Sequence, residues 1–426
     1  PHCAAGATVV VNLSASNELI GKPDYRRSLI KQNSAHNICG YVYTSAGPGE
    51  STTDLVFSGH SMICEDGSLL AERAPFSDEA ILCGDIDVKK LTYSRSQNNV
   101  FRCRDDADYT KIPFGDTLAV TELERKFARR PFVPDDDNVR GSRCGLILDM
   151  QSAALAKRID HTHAKKAVVG ISGGLDSTLA LIVAVRAMER LSRPASDVLT
   201  VTMPCFGTGE RTRGNAEELS LLLGTDFRCV DIAASAEQHL KDIGHSLDNY
   251  DVTYENAQAR ERTQVLMDLA NQSGGIVIGT GDLSEVALGW STYNGDHMSM
   301  YGVNCTVPKT LVRFIVRYYA DTCANERLAA VLYDILDTPV SPELVPSKPG
   351  EINQRTEDIL GTYELHDFFL YYMIRGGYSP DKLFRIARLS FAGKYDDEYI
   401  KKTLTLFCRR FFAQQFKRSC MPDGPK

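Results

Sequence analysis

A short apolar run, Ala167-Val168-Val169-Gly170-Ile171, passes directly into Ser172-Gly173-Gly174-Leu175-Asp176-Ser177-Thr178 and then into an apolar stretch of helical periodicity at 177–191. A β-branched run that stops at two glycines and restarts as a helix reads as a strand–loop–helix unit of a parallel sheet. The pattern continues downstream with strands predicted at 198–203, 227–230 and 276–279 and helices at 215–223 and 253–271. Strands and helices alternating at these lengths predict an α/β fold, a doubly wound parallel sheet with right-handed crossovers. Such sheets bind ligands outside the carboxyl ends of their strands, where the topology switches.

The rest of the chain reads differently. Between residues 6 and 88 the apolar runs are short and bounded by turn residues, with strands predicted at 8–11, 41–43, 54–57, 61–63 and 80–82 and a single helix at 24–36. That is a β-rich half-domain with too few helices to cover its own sheet. Charge rises and apolar density falls through 101–143, a connecting segment that is either a linker or an ordered arm, before a helix predicted at 146–159. The expected domains are therefore 1–100, the connecting segment 101–143, and 144–426.

Composition narrows the function classes. Of 426 residues, 43% are hydrophobic, which suffices for two or three domains with real cores. The net charge of −7, with no concentrated Lys/Arg stretch, argues against a nucleic-acid partner. No apolar run reaches the roughly 18–20 residues of a bilayer span, and the twelve cysteines are scattered without a C-x-x-C pair, so a soluble protein of the reducing cytoplasm is expected.

The loop at 172–177 carries the chemistry. Two glycines let the backbone approach an anion, the hydroxyls and successive N–H groups can hold phosphate oxygens, and the helix dipole favours negative charge there. It lacks the Gly-Lys-Ser/Thr end of a Walker A loop and is not G-x-G-x-x-G. A carboxylate inside a phosphate loop is repulsive unless a divalent cation intervenes, so Asp176 is expected to hold Mg²⁺. The competing reading is an ordinary strand-to-helix turn with Asp or Ser as cap.

Ser-Gly-Gly-x-Asp-Ser resembles the signature of the N-type ATP pyrophosphatases, which cleave ATP to AMP and pyrophosphate while adenylylating a substrate. By that resemblance Gly170, Ile171, Ser172, Gly173, Gly174, Leu175, Asp176 and Ser177 bind ATP, a co-substrate, with Asp176 catalytic. The acceptor must come from other segments. Ile278-Gly279-Thr280-Gly281-Asp282-Leu283-Ser284-Glu285 also leaves a strand at its carboxyl end, and on spacing alone Asp282 and Glu285 are a capping box. The order of this segment, Gly289-Trp290-Ser291-Thr292-Tyr293-Asn294-Gly295-Asp296, and Lys309 resembles the NAD synthetases. That match implies Thr280 and Lys309 on ATP, Glu285 on Mg²⁺ or substrate, Trp290, Ser291, Thr292 and Tyr293 lining a deamido-NAD pocket, and catalytic Asp296 near incoming ammonia. Asn256 and Arg260, on one face of the predicted helix at 253–271, resemble the substrate helix of the same family.

Residues 341–344, 354–371 and 415–420 resemble the long, glutamine-dependent form. There Lys417 would reach the substrate's phosphates or nicotinate carboxylate, or else Lys417-Arg418 would cap the last helix. The segment Gly6 to Ser16 resembles the strand after the nucleophilic cysteine of nitrilase-type glutaminases, so residues 1–100 are expected to be the second half of such an α/β/β/α domain. On this reading the chain uses free ammonia and little glutamine, and a homo-oligomer is expected. Cys64 beside Glu65-Asp66 is rejected as a nucleophile, because Glu65-Asp66-Gly67-Ser68 reads as a hairpin turn and no base attends the thiol. His161-Thr162-His163 lacks further metal ligands nearby. The alternatives left open are another amidotransferase of the class, such as a GMP synthetase, and a non-catalytic nucleotide-binding scaffold.

Overall fold

The computed structural model describes residues 1–51, 53–101, 109–115, 122–207, 210–338 and 359–426. Residues 341–344 and 354–358, which enter the resemblance above, lie outside the described residues. The chain divides into two compact units, Pro1–Ala128 with Tyr371–Ser390, and Arg129–Leu370 with Phe391–Lys426. No described helix is long and apolar enough to cross a membrane.

The first unit holds a four-stranded sheet of β1 (Val9–Ser14), β2 (Gly40–Ser45), β3 (Ser61–Glu65) and β4 (Ser68–Arg73), in that spatial order. The first pair is parallel and the others antiparallel. Helix α1 (Lys22–His36) packs on it through Ile30, Tyr43, Met62 and Cys64. The predicted turn joins β3 to β4, with Asp66 and Gly67 both at positive φ (48° and 79°), the type I′ geometry that matches strand twist. Cys64 is wholly buried and burial pushes its thiol pKa up, as a structural cysteine requires.

Two strand expectations fail. Residues 54–57 and 80–82 are irregular, with Val56 and Ile81 53% and 76% exposed, because β-branched propensity makes no strand without a paired and packed neighbour. Beyond the 6–88 stretch the unit has a second helix that was not anticipated, α2 (Val88–Gln97), capped by Asp87 on the N–H of Lys90. Asp87 also receives Lys382 Nζ at 2.5 and 2.6 Å, and that ammonium lies 3.9 Å from the Tyr378 ring centroid. These contacts explain why 371–390, expected in the 144–426 domain, belongs to the first unit.

In the second unit, β5 (Ala167–Gly170), β6 (Val198–Thr202), β7 (Asp226–Cys229), β8 (Ile276–Gly279) and β9 (Tyr301–Gly302) form a parallel sheet in the order β7-β6-β5-β8-β9. The order reverses between β5 and β8, so the switch point lies at the two loops singled out from sequence. The connecting helices are α3 (Asp137–Thr162), α4 (Leu175–Arg190), α5 (Glu210–Leu222), α6 (Ala233–Asp242), α7 (Val252–Ser273), α8 (Leu283–Leu288), α9 (Lys309–Thr322) and α10 (Glu326–Asp337). After them come α11 (Tyr363–Gly376), whose residues up to Leu370 belong to this unit, α13 (Asp397–Ala413) and α14 (Gln415–Arg418), while α12 (Pro380–Ser390) belongs to the first unit.

Helix α4 is apolar on nearly every face, and its Leu179, Leu181, Ile182 and Val183 have no exposed surface. Each such side chain contributes on the order of 1.5–3 kcal/mol through burial, which anchors the glycine-rich loop to the core. The acidic run read as part of a connecting segment is instead the start of α3. Asp136 accepts from the N–H groups of Asn138 and Val139, both at 2.9 Å, and acidic residues suit a helix's positive end.

Candidate active site

The glycine-rich loop turns from β5 into α4 with its hydroxyls bonded inward. Ser172 Oγ accepts from Gly174 N at 3.2 Å and lies 3.2 Å from Ser177 Oγ, which donates to the Gly174 carbonyl at 3.0 Å. Gly173 has φ +84°, and a Cβ there would stand 2.3 Å from the Thr212 carbonyl oxygen. Gly173→Ala therefore has to displace the loop, and the expected result is a rise of about tenfold or more in KM for ATP, read from initial rates.

The second loop, after β8, begins α8. Asp282 Oδ1 accepts from Glu285 N at 2.8 Å and the Glu285 carboxylate returns to Asp282 N, so the capping box is real. It is also part of a charge cluster. Lys309 Nζ lies 2.6 Å from Asp176 Oδ2, 2.9 Å from Asp282 Oδ2 and 3.0 Å from Glu285 Oε1. Burial opposes the charge on Lys309, but the three carboxylates outweigh it and hold its pKa well above the ordinary range. Burial dominates the other way for Asp282 and Glu285, raising both.

One ammonium cannot neutralise three carboxylates, and the excess suits a further cation. An oxygen from each of Asp176, Asp282 and Glu285 lies within 4.8 Å of the others, and Asp176 Oδ1 is buried without a hydrogen-bond partner. Hard carboxylate oxygens at this spacing are what Mg²⁺ binds. Asp176 and Glu285 were expected on a metal from sequence; Asp282 was missed there because the capping box accounted for it.

Two cavities meet at this cluster. One of about 280 Å³ runs under the loop, with Gly170, Ile171, Ser177 and Thr280 on its wall together with Met203, Arg262 and Leu266. The other, of about 730 Å³, takes in Gly173, Leu175, Asn256, Arg260, Trp290, Ser291, Thr292, Tyr293, Lys309 and Lys417. Ser172, Gly174, Asp176, Glu285 and Asp296 face both. Every residue assigned from sequence to ATP, metal, deamido-NAD or catalysis thus lies on at least one of the two cavities. Arg262, Met203 and Leu266 were not foreseen, since a single Arg or apolar residue on a helix carries no local signal.

The walls of the larger cavity are tied together. Thr292 Oγ1 donates to Asn256 Oδ1 at 2.8 Å, Arg260 Nε to the Tyr293 carbonyl at 3.3 Å, and Thr292 N to Asp296 Oδ1 at 2.7 Å. Burial raises the Asp296 pKa. Lys417 does not cap its own helix. Its Nζ donates to the carbonyls of Gly289, at 2.9 Å, and Ser291, while Arg410 and Arg418 donate to Leu288 and Ala287. Three cations thus gather at the negative end of α8.

Asn304, fully buried, donates to the carbonyls of Asp176 at 2.9 Å and Thr280 at 3.1 Å, bolting the two loops together. It was not anticipated, because nothing in its own segment reveals which distant carbonyls it serves.

A family model described as NAD synthase matches residues 147–394. The chain is similar to a glutamine-dependent NAD(+) synthetase of Mycobacterium leprae, 43% identical over 99% of this chain and 67% of the relative. A protein of the same description from Mycobacterium bovis is 41% identical, again over 99% of this chain and 67% of the relative. A crystal structure of a glutamine-dependent NAD(+) synthetase from Cytophaga hutchinsonii shares the fold at TM-score 0.55 and 19% identity, covering 99% of this chain and 66% of that one. The chain spans about two thirds of the length of these relatives.

Proposed function

Since this chain belongs to the NAD synthase family, we propose that it catalyses the ATP-dependent amidation of deamido-NAD to NAD, releasing AMP and pyrophosphate. The observation that carries this reading is the meeting of Asp176, Asp282, Glu285 and Lys309 at the mouth of the phosphate loop, between a cavity of about 280 Å³ and one of about 730 Å³. Adenosine fits the smaller cavity, beside Met203 and Leu266, with its triphosphate along Ser172–Ser177. Deamido-NAD takes the larger, against Asn256, Arg260 and Trp290 to Tyr293, with Lys417 at its rim.

A carboxylate is a poor electrophile, so the nicotinate oxygen first attacks the α-phosphorus of ATP and pyrophosphate leaves. Ammonia then attacks the acyl-adenylate carbonyl and AMP leaves. Asp176, Asp282 and Glu285 would hold Mg²⁺, which would supply charge neutralisation for the pyrophosphate. Lys309 adds a positioned cation for the same oxygens, and the N–H groups of the loop orient the triphosphate. Asp296 takes a proton from ammonium, so that ammonia attacks as the free base, or from the adduct, a role its burial favours by making the carboxylate more basic.

The described cysteines are all free thiols, which suits a reducing cytoplasm, and assembly as a homo-oligomer belongs to the same proposal. Incubation with deamido-NAD, ATP, Mg²⁺ and ammonium is expected to yield NAD, AMP and pyrophosphate in equal amounts. Turnover of XMP in place of deamido-NAD, or no amide product at all, would overturn the reading. A parallel arm with glutamine asks whether the chain hydrolyses that donor as well.

A further inference from the structure

Helix α9 begins without a cap of its own. Pro308 occupies the N-cap position and offers no side-chain hydrogen bond, so the first N–H groups of the helix need partners from elsewhere. They find them in α8 and α11. Ser284 Oγ accepts from Lys309 N at 2.9 Å, and Asp367 Oδ2 accepts from Thr310 N at 3.0 Å and from Thr310 Oγ1 at 2.7 Å. The other oxygen of Asp367 accepts the Ser284 hydroxyl. Asp367 and Ser284 are each only 1% exposed.

Ser284 stands between Asp282 and Glu285, and Lys309 is the first residue of α9. One buried carboxylate therefore fixes both the turn that carries two acids of the cluster and the backbone from which their cation projects. We propose that Asp367 is a positioning residue for the reaction, setting through Ser284 and Thr310 where Lys309 stands against Asp176, Asp282 and Glu285. The inference rests on the functional reading above for the role of Lys309. A helix cap alone needs only the bonds to Thr310; the bond to Ser284 is what links the cap to the acid cluster.

The test compares Asp367→Asn with Glu364→Gln. Glu364 is another buried carboxylate of α11, but its ion pairs are with Arg130 and Lys394, whereas those of Lys309 are with Asp176, Asp282 and Glu285. Asn cannot accept from Ser284 and Thr310 together, because one of its two polar atoms is a donor. Asp367→Asn is expected to raise KM for ATP about tenfold or more and to lower kcat, with KM for deamido-NAD within about twofold. Glu364→Gln is expected to lose stability while its kinetic constants stay within about twofold for the folded fraction.

Affinity for ATP, measured by titration calorimetry in Mg²⁺, supplies the second arm. In a Lys309→Met background, Asp367→Asn should cost little further affinity, since residues acting through one another are not additive. Equal kinetic effects from Asp367→Asn and Glu364→Gln, or multiplying losses in the double variant, would overturn the proposal. If Asp367→Asn does not fold, Ser284→Ala, which removes the same link, has to show the same rise in KM for ATP, and its absence refutes the idea. Failure of the wild type to make NAD would count against the functional reading, whereas the calorimetric cycle judges Asp367 independently.

Discussion

Asp176→Asn is expected to lower pyrophosphate release from ATP by at least about a hundredfold while leaving the fold intact or slightly more stable. The two halves of that result come from one arrangement. Asp176 is the residue by which the phosphate loop reaches the cluster, with one oxygen 2.6 Å from Lys309 Nζ and the other buried and unpartnered. A triphosphate brought against the loop meets this carboxylate, and the approach is favourable only with a divalent cation between them. Removal of a single pre-organised electrostatic group at such a site costs on the order of 10²–10³ in rate.

The same substitution eases a crowded site. Lys309 is only 7% exposed at its side chain and faces three carboxylates, so deleting one charge removes repulsion among the acids while two partners remain for the ammonium. Loss of activity with an unchanged or raised unfolding midpoint therefore separates a role in ATP chemistry from a role in the fold, a trade often found at charged sites. The check is a pyrophosphate-release assay across Mg²⁺ concentrations alongside thermal unfolding. An unchanged rate would remove Asp176 from the reaction.

What the sequence reveals about this site follows from how far each interaction reaches along the chain. The β5–loop–α4 unit is legible because its signals are local: two glycines, an apolar run before and an apolar helix after. The capping box at Asp282 and Glu285 is equally local, and for that reason it concealed Asp282 as the third acid of a cluster assembled across 133 residues of chain, from Asp176 to Lys309. Asn304 and Asp367 act wholly at long range, on carbonyls and N–H groups that their own segments do not contain. In the β-rich unit the failures have the opposite origin. Residues 54–57 and 80–82 have the composition of strands but no partner strand, and pairing is a property of the fold.

Acidification from pH 7 to pH 4 is expected to cost about 3 kcal/mol of stability through His366 alone. The ring lies in the core of α11, 1% exposed, donating from Nε2 to the Leu360 carbonyl at 2.8 Å, with Phe407 and Tyr363 beside it. Burial disfavours the imidazolium, the Leu360 carbonyl offsets only part of that, and Arg410 adds repulsion, so the pKa falls from 6.5 to about 4. Between those two values the unfolded chain binds a proton that the folded chain refuses. Stability is therefore fully present above pH 6.5, declines as pH falls towards 4, and shows no further change from this group below that. Glu364, whose carboxyl Lys394 and Arg130 hold below the usual range against the pull of burial, adds a separate loss that begins only as pH falls below its ordinary 4.5. In His366→Gln, where a neutral amide can still donate to Leu360, the decline between pH 6.5 and 4.5 should be flattened; an unchanged slope would show that His366 titrates normally. The consequence reaches the site, because His366 is flanked by Asp367 and lies one helical turn from Tyr363, which shares the larger cavity with Lys309. Protonation that loosens α11 should thus raise KM for ATP before the chain unfolds.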